Sequence, residues 1–469
     1  MIRRLPEGAP ILTAAEMRAV EQRLFATGVG QGALMERAGA AIAEQVARLA
    51  AGRPVLVLAG PGNNGGDGYV AARLLFERGV SAVVAAMGKP KDGAAEYMAA
   101  RWSAPVDDMR AAEPRPVLVD ALLGIGTPRP FDPETRAALA RLTAAADLCI
   151  AVDVPSGRHA DTGEGEGEAD VTIALGALKP AHVVGAGADA CGHVLLADLG
   201  VSRTSRASTI SRPTLPAWPH DVNKFSRGMV AIVSGAMPGA GWLAGRAALA
   251  AGAGYVQLVG LAPADGAPRA LVRHRIACVG DMSSVLDDPR IGTVVIGPGL
   301  GRDDAARALL DAALASPHDL VIDGDALTLL GRSIGDRIAT DRRRVCLTPH
   351  GGEFARMFDT AGDKLSITRA AARKTGATVV NKGPDTVIGY PDGRIVVSAG
   401  TNPGLSTAGT GDLLAGTIAA RMAAGPGGSD AVAAGVWLHA RAADHMGAIF
   451  PADALPERLT QEVNRCPTR

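Results

Sequence analysis

Residues 405–412 read Leu-Ser-Thr-Ala-Gly-Thr-Gly-Asp and lead directly into the apolar run Leu413-Leu414-Ala415-Gly416-Thr417-Ile418. This is a glycine turn at a helix N-terminus, with a carboxylate on the first turn. Backbone N–H groups and the helix dipole at such a turn favour an anion such as phosphate. A bound phosphate alone would want no negative side chain, so Asp412 needs its own reason. It suits a base that takes a proton from a hydroxyl while the N–H groups of Gly409, Thr410 and Gly411 hold a transferring phosphoryl group. A second, different glycine loop lies far upstream, Pro61-Gly62-Asn63-Asn64-Gly65-Gly66-Asp67-Gly68. Two distinct ligand loops in one chain point to two active sites.

Other groups stand where they could complete each site. Val117-Leu118-Val119 ends in Asp120 and is followed by Ala-Leu-Leu-Gly-Ile-Gly-Thr, while Leu148–Val152 ends in Asp153 and is followed by Val-Pro-Ser-Gly. Acids placed where parallel strands stop project into a binding crevice. Asp153 is the candidate for moving a proton, and Asn64, Asp120 and Ser156 are oxygen donors that could converge on a hard monovalent or divalent cation. Downstream, His350 and Glu353 follow a strand in Thr-Pro-His-Gly-Gly-Glu, Gly297-Pro-Gly-Leu-Gly301 could cradle phosphates, and Asn381-Lys382-Gly-Pro-Asp-Thr386 ends a strand in a cation suited to nucleotide phosphate or ribose. Each has a plain alternative taken singly: a tight turn, close strand–helix packing, or a solvated lysine. No histidine or cysteine has metal-ligand spacing.

The elements that must position these groups alternate between helix and strand. Thr13-Ala14-Ala15-Glu16 is a capping box, with Met17, Val20 and Leu24 following at helical spacing, and a second helix runs from Leu34 to Leu49. The strand Val55–Ala59, the first glycine loop and a helix from about Tyr69 to Arg78 make an α/β unit with its ligand at the strand's C-terminal end. The acidic loop Asp161–Asp170 reads as a solvated surface excursion without chemistry. The stretch from Ser202 to His220, rich in Ser, Thr, Arg and Pro, has no periodicity and reads as a linker. A new alternation follows: Met229–Ser234, Tyr255–Val259, Thr293–Gly297, Leu320–Asp323, Val345–Thr348 and Thr378–Asn381, then a hairpin turning at Tyr390–Arg394.

Composition narrows the class. The 469 residues carry 48 Lys plus Arg against 48 Asp plus Glu, so no global field draws the chain to nucleic acid or anionic lipid. The five cysteines are scattered without a CxxC, which argues against a disulfide framework and suits a reducing cytoplasm. The nearly uncharged window Ala240–Ala262 is built of weakly apolar Ala and Gly around Arg246, so a buried helix feeding a strand explains it better than a membrane span.

The series LTAAEMR, LMERAG, PGNNGGDG, VDALLGIGT and AVDVPSG resembles, over roughly residues 10–200, the N-terminal domain of the bifunctional NAD(P)H-hydrate repair enzymes. That resemblance implies an epimerase holding the hydrate with Asn63, Asn64, Gly65, Gly66, Asp67, Gly124, Ile125, Gly126, Thr127, Pro128, Arg129, Pro130 and Asp153. It also implies K+ held by Asn64, Asp120 and Ser156. Within a ribokinase-type fold, SGAMPGAG, IGPGLG, DGDAL, TPHGGEF, NKGPDT and STAGTGDLLAG resemble the NAD(P)H-hydrate dehydratases over about residues 221–450. This implies ADP-dependent phosphorylation of the hydrate's hydroxyl and elimination to NAD(P)H, leaving AMP and phosphate, with Mg2+ assisting. Ala240, Gly299, His350 and Asp412 would then contact the hydrate, and Lys382, Gly383, Pro384, Asp385, Thr386, Gly409, Thr410 and Gly411 the nucleotide. One departure is visible: the family usually opens this domain with His-Lys-Gly, where this chain has Asn223-Lys224-Phe225-Ser226-Arg227-Gly228.

The expectation is therefore an α/β protein of two domains. Residues 1–210 form a Rossmann-like three-layer αβα epimerase domain, and residues 221–469 a ribokinase-like αβα dehydratase domain. It is expected to act on NADH hydrate and NADPH hydrate as a cytoplasmic homo-oligomer with no nucleic-acid or membrane partner. The runner-up is a ribokinase-type kinase for a vitamin alcohol fused to a ligand-sensing domain. An ordinary kinase would release a stable phosphorylated product.

Overall fold

The computed structural model describes residues 5–469 apart from 92, 127–129, 202–203, 267, 339, 341–342 and 426–429. The chain divides between Thr209 and Ile210 into two compact units. The first contains helices α1 (Ala14–Ala26), α2 (Gln31–Ala50), α3 (Asn63–Glu77), α4 (Ala94–Ala99), α5 (Pro133–Ala145) and α6 (Gly185–Ala190). Its strands are β1 (Val55–Ala59), β2 (Ala82–Ala86), β3 (Val106–Asp108), β4 (Val117–Ala121), β5 (Leu148–Val152), β6 (Val171–Leu175), β7 (His193–Ala197) and the short β8 (Ala207–Thr209). The capping box at α1 forms as its sequence dictates, Thr13 accepting from the Glu16 N–H and the Glu16 carboxylate from the Thr13 N–H.

Strands β1 to β7 make one parallel sheet in the order β3-β2-β1-β4-β5-β6-β7. The order reverses between β1 and β4, which opens the crevice where such sheets bind ligands. Alternation along the strands separates two apolar layers. Val55, Val57, Val119 and Ile150 pack with α1, α2 and α3, while Leu56, Leu58 and Leu118 pack with Ala138 and Leu142 of α5. This is the expected three-layer αβα arrangement.

Three local expectations change. The helix after the first glycine loop begins at Asn63 rather than Tyr69, so most of that loop is helical. A Cβ on Gly65 would lie 1.8 Å from the Gly60 carbonyl, and only its absence lets the helix start against the end of β1. The acidic loop keeps Glu164, Glu166 and Glu168 in solvent, yet its other side is anchored: Arg158 donates to the Gly163 and Gly167 carbonyls at 2.5 and 2.7 Å. The aperiodic stretch before residue 220 is partly built in, since Leu215 is buried and bridged to Thr468.

The second unit holds β9 (Met229–Val233), β10 (Tyr255–Gly260), β11 (Leu271–Arg275), β12 (Ile291–Ile296), β13 (Asp319–Ile322), β14 (Val345–Leu347), β15 (Thr378–Asn381), β16 (Asp385–Gly389) and β17 (Ile395–Ala399). Its helices are α7 (Pro238–Ala250), α8 (Asp281–Leu286), α9 (Asp304–Ala315), α10 (Gly324–Leu330), α11 (Ile334–Arg337), α12 (Gly351–Met357), α13 (Lys364–Thr375), α14 (Thr410–Ala423), α15 (Ala431–Asp444) and α16 (Leu455–Arg465). The strands run β11-β10-β9-β12-β13-β14-β15-β16-β17, parallel as far as β15 and antiparallel through the β16–β17 hairpin. Again two layers sandwich the sheet, α7, α14, α15 and α16 on one face and α8, α9, α10, α12 and α13 on the other, as the ribokinase-like reading requires.

The uncharged window from Ala240 divides between α7 and β10, and among the described residues no helix is long and apolar enough to cross a membrane. Helix α14 is buried from Leu413 to Met422 because α7 and α15 cover it. At its contact with α7 a Cβ on Gly416 would lie 1.9 Å from the Ala244 carbonyl. Gly416→Ala must push the two helices apart. Overpacking of this kind costs about 1–3 kcal/mol, so thermal unfolding of this variant should begin several degrees below wild type. An unchanged melt would show that the contact relaxes freely.

Candidate active sites

In the first unit a cleft of ≈ 680 Å³ opens at the C-terminal ends of β1, β4 and β5, a size in the usual range for small-molecule sites. Asn63, Asn64, Asp67, Gly124, Ile125, Gly126, Pro130 and Asp153 line it. Gly65 and Gly66 do not; they pack against Gly60 and Met35 and seat the helix. Thr127, Pro128 and Arg129 lie outside the described residues.

Asp153 sits at the floor in a left-handed backbone conformation, φ +67°, unusual for a residue with a Cβ and a common mark of functional sites. Its carboxylate is ion-paired with the Lys179 ammonium, which has no exposed surface, and accepts from the Leu175 N–H at 3.2 Å. Its carbonyl is 2.7 Å from His182 Nε2, while His182 Nδ1 accepts from the Lys179 N–H at 3.0 Å. The ring proton therefore lies on Nε2. Burial, helped by the Lys179 charge, lowers the His182 pKa to about 4 and keeps that ring neutral. Two further carboxyls belong to this floor. Asp67 is buried, and burial first, then the charges of Asp153 and Glu21, push its pKa well above the ordinary range. Glu21 of α1 is pushed up by burial and by Asp153, against Lys179 and Arg18.

The candidate cation donors are brought close. Asp120 accepts from Ser156 Oγ at 2.6 Å, from the Ser156 N–H at 2.9 Å and from the Leu122 N–H at 3.2 Å. Asn64 donates through Nδ2 to the Val152 carbonyl at 3.4 Å, and its Oδ1 abuts Gly124, in the same loop as Leu123, whose N–H donates to Ser156 Oγ. One carboxylate with hydroxyl and amide oxygens is a donor set for a hard cation of low charge.

In the second unit the strand ends of β13, β14 and β15 converge. Lys382 Nζ and Thr348 Oγ1 both donate to Asp323 Oδ1 at 2.8 Å. Burial acts to lower the Lys382 pKa, but Asp323, with Glu353 and Asp412 adding, outweighs it and leaves it raised. A Cβ on Gly411 would lie 3.5 Å from Lys382 Nζ, so the N-terminus of α14 and this ammonium face one space. Asp412, on the first turn, has its pKa raised to about 6 by burial and by Asp323, against Lys382. His439 Nε2 donates to the Thr410 carbonyl at 2.9 Å and, with its own pKa lowered to about 4 by burial, pins the helix start as a neutral ring.

A cavity of ≈ 800 Å³ beside this point is lined by Lys382, Gly383, Pro384, Thr386, Thr410 and Gly411, and by His350. Asp385 instead pairs with Lys364 at 2.5 Å, and Gly409 packs towards Leu243. His350 is exposed and caps α12, its Nδ1 accepting from the Gly352 N–H while Glu353 accepts from its own N–H. Gly299, at φ +59°, lies so close to Ala240 that an added Cβ would be 2.9 Å from the alanine methyl. Those two predicted contacts therefore adjoin.

Three residues of these sites went unread in the sequence. Lys179 is the one Lys, Arg, Asp or Glu between Val171 and Ala188, directly after a strand, and that isolation was the available signal. Asp323 stands at the end of an apolar strand as Asp120 and Asp153 do. Glu21 carried no signal, because nothing in α1 distinguishes it from a solvated helix acid.

A family model described as NAD(P)H-hydrate dehydratase matches residues 230–465, and one described as YjeF-related protein N-terminus matches residues 31–181. The bifunctional NAD(P)H-hydrate repair enzyme Nnr of Thermofilum pendens is 33% identical over 89% of this chain and 88% of its own. That of Coxiella burnetii is 32% identical over 92% and 93%. The crystal structure of an ADP/ATP-dependent NAD(P)H-hydrate dehydratase from Bacillus subtilis, co-crystallised with ATP and Mg2+, is 25% identical, covers 54% of this chain and 94% of its own, and has a TM-score of 0.45. The chain belongs to the family of bifunctional NAD(P)H-hydrate repair enzymes.

Proposed function

We propose that the chain repairs hydrated NADH and NADPH, its first unit interconverting the R and S hydrates and its second dehydrating the S hydrate to NAD(P)H with ADP, releasing AMP and phosphate. The observation that carries the second activity is Asp412 on the first turn of α14, near Lys382 and next to Gly411, which with Lys382 lines a nucleotide-sized cavity. Ala240, Gly299 and His350 place the hydrate so that its hydroxyl meets Asp412. Lys382 and the segment through Thr386, with Gly409, Thr410 and Gly411, hold the nucleotide. Asp412 takes the hydroxyl proton as the terminal phosphoryl group of ADP transfers, and the helix N–H groups and Lys382 hold its oxygens. The leaving group is then phosphate rather than hydroxide, and departure with a neighbouring ring proton restores the double bond. Mg2+ enters this reading on the nucleotide's phosphates.

In the first unit the hydroxyl-bearing ring carbon stands over Asp153, which moves protons as the centre inverts. Asn64, Asp120 and Ser156 fit K+, which would offset the Asp120 charge and brace the loop from Leu122 to Gly126. Four of the five cysteines are buried and none is joined in a disulfide, which suits a cytoplasmic location.

Purified chain supplied with both hydrate epimers, ADP, Mg2+ and K+ should return the dihydronicotinamide absorbance completely. Asp412→Ala should slow dehydration by about 10²–10⁴-fold, and a stable phosphorylated product in place of NAD(P)H would make the chain an ordinary small-molecule kinase.

The base must be ionised to act, so kcat/KM for dehydration should fall as pH drops through about 6. Lys382→Met removes the charge that favours ionised Asp412 and should move this acid limb to higher pH. A limb that stays in place would exclude Asp412 as the base.

Replacing K+ by a large organic cation, or Asp120 by Ala, should depress epimerisation and leave dehydration of pure S hydrate intact. Equal loss of both activities would count against a cation site in the first unit.

A further inference from the structure

The floor of the first cleft holds two aspartates in opposite surroundings. Asp153 is tied at its carboxylate to the ammonium of Lys179, itself held by the Leu175 carbonyl at 2.9 Å and wholly enclosed. Asp67 lines the same cleft at 8% exposure, and its carboxyl takes no hydrogen bond from any described residue. A buried carboxyl without a partner is costly in its charged form and keeps its proton. The carboxylates of Asp153 and Glu21 that face it act in the same direction as burial. A buried carboxyl that keeps its proton, on the same floor as one whose oxygen is held by an ammonium, offers a proton donor beside a proton acceptor.

We propose that Asp67 is the proton-donating catalytic acid of the epimerisation, and that Lys179 is the positioning residue that holds Asp153 as its complementary base. The assignment rests on the epimerase reading of this cleft. Asp67 gives its proton to the hydroxyl oxygen of the hydrate. The carbon–oxygen bond breaks, the ring-nitrogen lone pair forms a carbon–nitrogen double bond, and water departs. Water then adds to the opposite face of that carbon and loses a proton to Asp153. The proton passes from Asp153 through the departed water to Asp67, and the site is reset with atoms and charge balanced. Lys179 contributes by geometry: it fixes one carboxylate oxygen, and the left-handed backbone at Asp153 presents the group to the cleft.

Steady-state epimerisation of pure R hydrate tests both parts. Asp67→Asn keeps the side chain's shape and removes its acid. It should lower kcat by roughly 10²-fold or more, with KM little changed and thermal unfolding as in wild type. Lys179→Ala should lose comparable activity and regain a measurable part of it when ethylammonium fills the vacated space. The double variant Lys179→Met with Asp153→Asn removes both buried charges; it should keep the wild-type melt yet remain inactive. An Asp67→Asn variant with wild-type kcat overturns the acid assignment. A Lys179→Ala variant that is fully active, or that folds but is unmoved by ethylammonium, overturns the positioning role. A wild-type chain that fails to interconvert the hydrates overturns the epimerase reading itself and this assignment with it.

Discussion

In each unit a lysine ammonium, wholly enclosed at Lys179 and half-buried at Lys382, is neutralised by an aspartate that ends a parallel strand. Lys382 meets Asp323 after β13, and Lys179 meets Asp153 after β5. Removing water from a charge is expensive unless a partner of opposite sign stands in hydrogen-bond contact. These pairs therefore dictate what surrounds them. Lys382 and Thr348 meet on a single oxygen of Asp323, which clamps the ends of three neighbouring strands at one point. Lys179 and His182 do the same for the turn after β5, one through the Asp153 carboxylate and the other through its carbonyl. Each crevice inherits a rigid charged floor from that clamp.

The floor becomes a site because a helix N-terminus is brought onto it. Helix α3 starts at the end of β1, and α14 starts beside Lys382. The first approach is closer than a side chain permits, whereas a Cβ on Gly411 would make ordinary contact with Lys382 and Gly409 is needed for its left-handed backbone, φ +93°. Close approach thus explains the glycines of the first loop better than turn formation does, since much of that loop is helical rather than a turn. The N–H groups thus presented supply positive potential without a titratable group. Acids can therefore remain close by and still act as acids or bases.

Environment then separates the carboxyls. Asp412 is only partly buried and has Lys382 nearby, so its pKa settles at about 6, where it is a base at neutral pH. Asp67 takes no hydrogen bond from any described residue, and its burial, then the two other carboxyls that face it, push its pKa well above the ordinary range. The same residue type is thereby shifted to different extents in the two units. The buried histidines His182 and His439 are taken out of acid–base chemistry by the same burial, each left neutral to brace a backbone carbonyl.

Much of this was legible in the residues. Apart from β11, the strands of the second unit lie within two residues of where their apolar runs placed them. Asp120, Asp153 and Asp412 could be picked out because an acid directly after an apolar strand or glycine turn has few structural reasons to be there. The short or charged strands β3 and β11 were not, since Val-Asp-Asp and Leu-Val-Arg-His-Arg carry no buried pattern. Local residue order alone determined that the chain holds two largely parallel α/β sheets with a glycine-led helix start and acids at the strand ends. It did so because periodicity, glycine and strand-end charge are properties of neighbours in sequence. Only the tertiary structure decided that Lys179 is enclosed against Asp153, that Asp67 is buried without a hydrogen bond from any described residue, that Glu21 reaches the same floor from α1, and that Asp385 pairs with Lys364. Burial and pairing between residues far apart in the chain are properties of packing, and no local pattern encodes them.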